Sequence, residues 1–336
     1  MTPEHLNWDH DQDPDMIPLD AGGHPSRQSE SGDHITASMG HVDVAELSTS
    51  SRTLWGDAWY RLRRNKLALV ALVWIIFMIL LAVTADLWVP QTLGDPIVLP
   101  QDTAAAKLLP PSADHPFGTD KLGREIISRI IYGARVSLSV GVLAVSISLV
   151  IGLVFGGLAA YYGGLWDTLI MRTADVFFAF PYVLFAITLI AVLGPSYRNV
   201  FIAIGILGWP SIARVFRSSI LSVKENEYVD AARAVGASDL RIMFRHILPN
   251  SIAPIVVYTT MSIGSAILSE AALSFLGMGV QPPTPSWGGM LSDARAFLFS
   301  APHMMLFPGI AILTTVLAFV LMGDGLRDAL DVKMKD

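Results

Sequence analysis

Between Leu67 and Ala85 the chain carries no charged residue. The same holds from Val136 to Trp166 and from Val176 to Leu193. Each run is long enough, coiled as a helix, to cross the hydrocarbon core of a bilayer. A helix also pairs its own backbone polar groups, which lipid cannot do. Composition agrees: 52% of the 336 residues are hydrophobic, 15% are charged, and mean hydropathy is +0.51. That is too apolar for an ordinary soluble domain. The chain reads as an all-α polytopic membrane protein.

Residues 51–89 form an amphipathic lead-in and a first span. Trp59 and Tyr60 suit the interface, and Arg61, Arg63, Arg64 and Lys66 put the start of Leu67–Ala85 in the cytoplasm. Residues 90–135, with six prolines, make an extracytoplasmic connector. Val136–Ala160 is the second span. Its Gly152 and Gly156 lie four apart, a spacing that lets helices approach closely. Val176–Leu193 is the third, with Pro181 as a kink. The fourth runs from near Asn199 to Ile220, kinked at Gly208-Trp209-Pro210, with Arg214 and Arg217 snorkelling at its inner end. Asn250–Leu276 is the fifth, and Met304–Met322 holds the sixth. Six spans starting inside return both termini to the cytoplasm, residues 329–336 included. Asp167 and Arg172 then mark a cytoplasmic edge. Lys107, Lys121, Arg124 and Arg129 fall outside, so the excess of basic residues inside is not clean.

Glu270 sits inside the fifth span. A carboxylate there is expensive in lipid and faces protein or water. Two readings stand side by side: a wall of a translocation path, or a hydrogen bond to a neighbouring helix.

Residues 1–50 differ from all of this. They carry ten acidic residues, one basic residue (Arg27) and five of the eight histidines. Without apolar periodicity such a segment cannot offset its ordering entropy, so a disordered acidic cytoplasmic tail is expected. The histidines lack tight ligand spacing, and the chain has no cysteine to supply a thiolate.

Between the fourth and fifth spans the chain turns polar. Tyr228–Pro249 reads YVDAARAVGASDLRIMFRHILP. Tyr228, Ala231, Ala232 and Val235 recur at helical spacing, with Asp230 and Arg233 beside them. Gly236 follows, where a glycine ends a helix without Cβ strain. Ser238 caps a second short helix, on which Leu240, Met243, Phe244 and Ile247 repeat. Pro249, after Leu248, suits the first turn of the next helix. Small residues at 231, 232, 234 and 236 leave one side thin enough to enter a groove of another protein.

This stretch resembles the cytoplasmic loop of permease subunits of binding-protein-dependent ABC importers. The family pattern is Glu-Ala-Ala, three residues, Gly, nine residues, Ile, any residue, Leu-Pro. Ala231, Ala232, Gly236, Leu248 and Pro249 match, while Asp230 stands for Glu and His246 for Ile. HPFGTDKLGREIISRIIYGARVSL, FLGMGVQPPTPSWGGML and the tail GDGLRD resemble the dipeptide and oligopeptide (peptide/nickel) type. The resemblance covers residues 55–336 and implies the six-helix type I ABC importer permease fold, with a core at 136–328 and a coupling loop at 222–249. It also implies a second homologous permease subunit, two ABC ATPase subunits that hold the ATP, and an extracytoplasmic solute-binding protein in a bacterial plasma membrane. Peptide is the implied solute, with nickel or another small solute as the alternative. Tyr228, Asp230, Ala231, Ala232, Gly236, Leu240, Leu248 and Pro249 are the candidate ATPase-coupling residues. Asp120, Lys121, Arg124 and Glu125 are candidates for contact with the solute-binding protein, the alternative being a solvated capping helix with local ion pairs.

The chain shows no catalytic motif of its own. It lacks a G-x-x-x-x-G-K-[S/T] phosphate loop and an H-E-x-x-H zinc motif. No cofactor or metal is therefore expected on it. Basic residues in the polar stretch are too few, and too well balanced by acids, for nucleic acid. An ion-coupled secondary transporter would show intramembrane carboxylates and an internal repeat. Glu270 is the one clear candidate, and no repeat is evident.

Overall fold

A computed structural model describes residues 54–330. The expected tail at 1–50 and the last residues, 331–336, lie outside the described part. The first helix, α1 (Leu54–Leu62), precedes the apolar α2 (Lys66–Thr92). Asn65 caps α2, its side chain accepting from the Ala68 N–H at 3.2 Å. A connector holding the single turn α3 (Thr103–Ala106) leads to α4 (Ile126–Tyr162). Then come α5 (Gly164–Ala179), α6 (Tyr182–Leu193) and α7 (Tyr197–Lys224). The polar stretch forms α8 (Glu227–Ala234) and α9 (Asp239–Ile242). A wide π turn, Met243–Ile247, joins α9 to α10 (Leu248–Phe275). α11 (Trp287–Ala294) and α12 (His303–Leu330) complete the described chain.

The centre of the molecule is the long contact of α4 with α7. Glycines make it possible. A Cβ on Gly156 would lie 2.6 Å from the Ala213 carbonyl oxygen, and one on Gly152 would lie 2.7 Å from the Ile212 side chain. Neither site has room for a larger residue, so close approach is the reason for the four-residue glycine spacing. Ser148 Oγ donates to the Gly205 carbonyl at 2.7 Å across the same seam. A second cluster joins α2, α4, α10, α11 and α12 through Ile75, Met78, Leu138, Ile267, Trp287 and Phe319. Opposite faces of the outer helices stay apolar and exposed, as at Leu67, Val70, Val73, Leu80 and Val83 of α2. Such a face belongs in lipid.

Three expectations about the spans need correction. The third is not one kinked helix over Val176–Leu193. α5 and α6 meet at 92°, with the break at Phe180-Pro181. Pro181 has no N–H to give and holds the residue before it extended, and Phe180 has φ −96°, ψ 137°. Among the described residues five helices are long and apolar enough to cross a membrane, and the bent pair makes a sixth if it is one span. The second correction is at α12. It does not stop at Met322 but carries the Gly-Asp-Gly-Leu-Arg-Asp segment as helix to Leu330. There Gly325 packs tightly on Ala68, and Asn65 Nδ2 donates to Asp328 Oδ2 at 3.4 Å.

The third correction concerns the second short helix, which is continuous with the fifth span. Pro249 would clash with the carbonyl of residue 245 inside a regular helix. The π turn widens the backbone just before it, with Leu248 N–H donating to the Met243 carbonyl, one residue further back than in an α-helix. The Asn250 side chain donates to the His246 carbonyl at 2.7 Å.

Candidate functional site

The polar stretch is anchored before it is presented. Val229, Ile242 and Ile247 are fully buried and pack with Phe216 and Ile220 of α7 and Ile255 of α10. Sequence periodicity missed Val229, because it lies off the face that Tyr228, Ala231, Ala232 and Val235 define. Ala232, Ala237, Met243 and Leu248 pack partly against the same cluster. The expected docking face is thereby split. Ala232 and Leu248 look inward, whereas Tyr228, Val235, Leu240 and Phe244 look out, at 43%, 89%, 67% and 64% exposure. Ala231 and Pro249 are exposed as well. Asp230 pairs with its neighbour Arg233, at 3.0 Å.

Gly236 has φ +84°, in the left-handed region that favours glycine. The Ala237 N–H closes back on the Ala232 carbonyl at 3.1 Å, which stops α8 and turns the chain into α9. The second short helix, α9, and the end of α7 are both tied to the end of α4. The Tyr161 hydroxyl donates to Asp239 at 2.5 Å, and Lys224 Nζ donates to the Tyr161 carbonyl at 2.7 Å. α9 thus meets α4 through Tyr161, and α8 meets α7 through the packing of Val229 on Phe216 and Ile220.

Charged side chains near this end are paired in a way that the sequence did not announce. Arg217 forks onto both oxygens of Asp167 at 2.5 and 2.6 Å, and Arg214 reaches Asp175 at 2.5 Å. These pairs hold α5 to α7 and leave neither arginine alone at the edge of the bilayer.

Glu270 is fully buried within this chain. Ser137 Oγ of α4 donates to its Oε2 at 3.0 Å, and Ser274 Oγ of α10 to its Oε1 at 2.6 Å. The Val280 N–H donates to Ser274 Oγ at 3.3 Å, which brings the loop before α11 into the network. Of the two readings, this geometry is the hydrogen bond to a neighbouring helix. Nearby, Trp287 Nε1 donates to the Ile130 carbonyl at 2.9 Å and locks α11 onto α4.

The connector residues are also engaged internally. Asp120 and Arg124 form a buried pair at 2.7 Å, with Arg129 at 3.5 Å from the same carboxylate. Lys121 bridges to Asp293 of α11 at 2.6 Å, and Glu125 pairs with His115. Such contacts fold the connector onto the end of the bundle, and each of the four side chains has an ion-pair partner within the chain. Among the described residues no group of three or more acidic or histidine side chains is placed to hold a metal.

Comparison with known proteins fits this geometry. Residues 148–336 match the family described as binding-protein-dependent transport system inner membrane component. Residues 53–111 match the N-terminal transmembrane domain of oligopeptide transport permease C. The dipeptide transport system permease protein DppC of Alkalihalophilus pseudofirmus is 49% identical over 84% of this chain and 90% of its own. The glutathione transport system permease protein GsiD of Escherichia coli is 48% identical over 84% of this chain and 92% of its own. Among solved structures, an inward-facing MetNI methionine ABC transporter shares the fold at TM-score 0.52 and 18% identity, over 61% of this chain and 97% of that one. An amino acid ABC transporter matches at TM-score 0.50 and 16% identity, over 60% of this chain and 94% of that one.

Proposed function

The chain belongs to the family of binding-protein-dependent transport system inner membrane components, and on that premise we propose that it forms half of a translocation pathway for short peptides. Within the family it is a non-catalytic, multi-pass permease subunit of an ABC importer, and ATP hydrolysis belongs to a separate chain. That membership sets aside the ion-coupled secondary transporter. A second homologous permease subunit completes the pathway, two ATPase subunits bind the ATP, and a solute-binding protein delivers the peptide from outside. The residence is a bacterial plasma membrane with both termini in the cytoplasm.

The observation that carries the coupling role is the outward apolar face of Tyr228, Val235, Leu240 and Phe244 on helices anchored through Val229, Ile242 and Ile247. A polar loop that exposes large apolar groups while its other side is buried is built to be covered. Tyr228, Asp230, Ala231, Gly236 and Leu240 are assigned to the docking region. Ala232 and Leu248 are assigned to holding it in place, and Pro249 to the turn that leads into α10. Nucleotide-driven closure of the ATPases moves this region, and its ties to α4 and α7 pass the movement to the spans. Such a shift requires the nucleotide to bind the two states unequally. Peptide is favoured over nickel because two relatives of nearly half identity are named for a dipeptide and for glutathione, itself a short peptide. The test is uptake in vesicles that hold the whole complex. ATP-dependent accumulation of a labelled dipeptide or of glutathione is expected. Accumulation of nickel ions and of neither peptide would contradict the assignment.

A further inference from the structure

A cavity of about 270 Å³ lies between α4, α6, α7 and α10, and every polar side chain lining it is a hydroxyl. Tyr182 opens α6, Ser211 comes from α7, and Tyr258, Ser262, Ser265 and Ser269 run along one face of α10. No charged residue lines it. Ser265 is exposed in the middle of an apolar helix, a position that suits water or a polar partner better than lipid. The break between α5 and α6 gives independent support. Non-helical backbone at membrane depth is tolerated where it is buried in protein or lines a water-filled space. Phe180 and Pro181 are exposed, so burial within this chain does not account for them. The next residue, Tyr182, lines the cavity together with Ser269.

The hydroxyls are also set up for a particular chemistry. Ser262 and Ser269 donate their protons to backbone carbonyls of their own helix, at 2.7 and 2.9 Å. Their oxygens keep lone pairs that accept. An uncharged surface rich in acceptors, with further hydroxyls at Ser211 and Tyr258, matches a ligand that offers amide N–H and C=O groups along its length. We propose that this cavity is the wall over which the solute passes, and that it recognises the uncharged amide backbone of a short peptide rather than its charged side chains. The amide assignment rests on the peptide-transport reading above. The wall itself does not.

Because the chain has no cysteine, Ser265→Cys gives it a single reporter, read on this subunit after it is separated from its partners. Val73→Cys, on the exposed apolar face of α2, serves as the lipid-facing control. The assembled complex in vesicles is treated with a small hydrophilic methanethiosulfonate. The thiol of Ser265→Cys is expected to react and uptake to fall about tenfold, while the thiol of Val73→Cys stays unmodified. A thiol at position 265 that does not react, or that reacts with uptake intact, overturns the wall. In a second arm, Ser265→Lys places a fixed charge on a neutral surface. With the binding protein unchanged, the ratio of uptake of a Glu-bearing to a Lys-bearing dipeptide is expected to rise about tenfold over wild type. An unchanged ratio overturns the claim that backbone recognition depends on a neutral wall. Absence of any peptide uptake by the wild-type complex would sink the transport reading and the amide assignment with it, while labelling of Ser265→Cys still decides whether the cavity is open to water.

Discussion

Single residues decide how the chain presents itself, and two of them show how far sequence carries. Glu270 was visible at once, because a carboxylate inside an apolar run demands a partner. Its partners were not visible, since Ser137 lies on another helix and serines are common in sequence. Removing the carboxylate leaves both hydroxyls unpaired in a buried site, at about 1–3 kcal/mol for each lost acceptor. Glu270→Leu is therefore expected to lower the thermal midpoint of the purified subunit in detergent, and Glu270→Gln, which still accepts, to lower it less. Equal midpoints would show that the network contributes nothing. Val229 is the complementary case. Periodicity picks out the face of Tyr228, Ala231, Ala232 and Val235 and passes over Val229 on the other side of the helix. Only the packing on Ile242, Ile247 and Ile255 shows that Val229 is the inner residue and Val235 the outer one. Val229→Ala removes about 1–2 kcal/mol of burial, at about 0.8 kcal/mol per methylene. Hydrogen exchange should report faster opening of residues 227–247 in that variant, and unchanged exchange would mean that the anchor lies elsewhere.

Among the helices, apolar run length located the spans well, because lipid leaves little choice of structure. Run length could not locate their ends. α4 extends to Ile126, and α12 to Leu330, because protein contacts stabilise helix beyond the apolar window. Pro181 was legible as a disturbance but not as a break of 92°, since a proline kinks or ends a helix depending on what receives the freed backbone. The π turn had Pro249 as its one local signal, and that proline fits the first turn of a new helix equally well. The glycines of α4 were legible in spacing, and the structure adds what they approach. Gly156→Val puts a branched side chain where a Cβ already meets the Ala213 carbonyl at 2.6 Å. Overpacking of this kind costs about 1–3 kcal/mol, and here it also separates α4 from α7. The variant is expected to show reduced thermal stability and reduced assembly in membranes, whereas Gly163→Ala, where a Cβ meets nothing within 4 Å, should assemble normally despite a strained backbone. Normal assembly of Gly156→Val would show that the seam is not close-packed.

Across the whole molecule, the orientation proposed from basic residues is open to direct test. A thiol at Asp102 or Thr284 should react with an impermeant reagent in intact cells, and one at Ser238 should not. Labelling of Ser238→Cys from outside would invert the arrangement. Family membership was legible because several motifs hold their residues at fixed spacing, from the loop around Gly236 to the helical segment Gly323–Asp328. What the loop does to a partner was not legible, because its docking face is defined only once the inner face is known. Coupling, as proposed, turns on the outer face of α8 and α9 receiving the ATPase subunits. Burying a Val or Phe side chain is worth about 1.5–3 kcal/mol, and a charge in its place adds a desolvation cost. Both side chains are exposed in the isolated chain, so changing them leaves the spans intact. The deciding quantity is the amount of ATPase that co-purifies from detergent with the wild-type chain and with Val235→Glu/Phe244→Glu. A drop of at least about tenfold is expected for the double variant at equal membrane insertion. Equal recovery of the ATPase, with hydrolysis still stimulated by substrate, would contradict the docking role of this face.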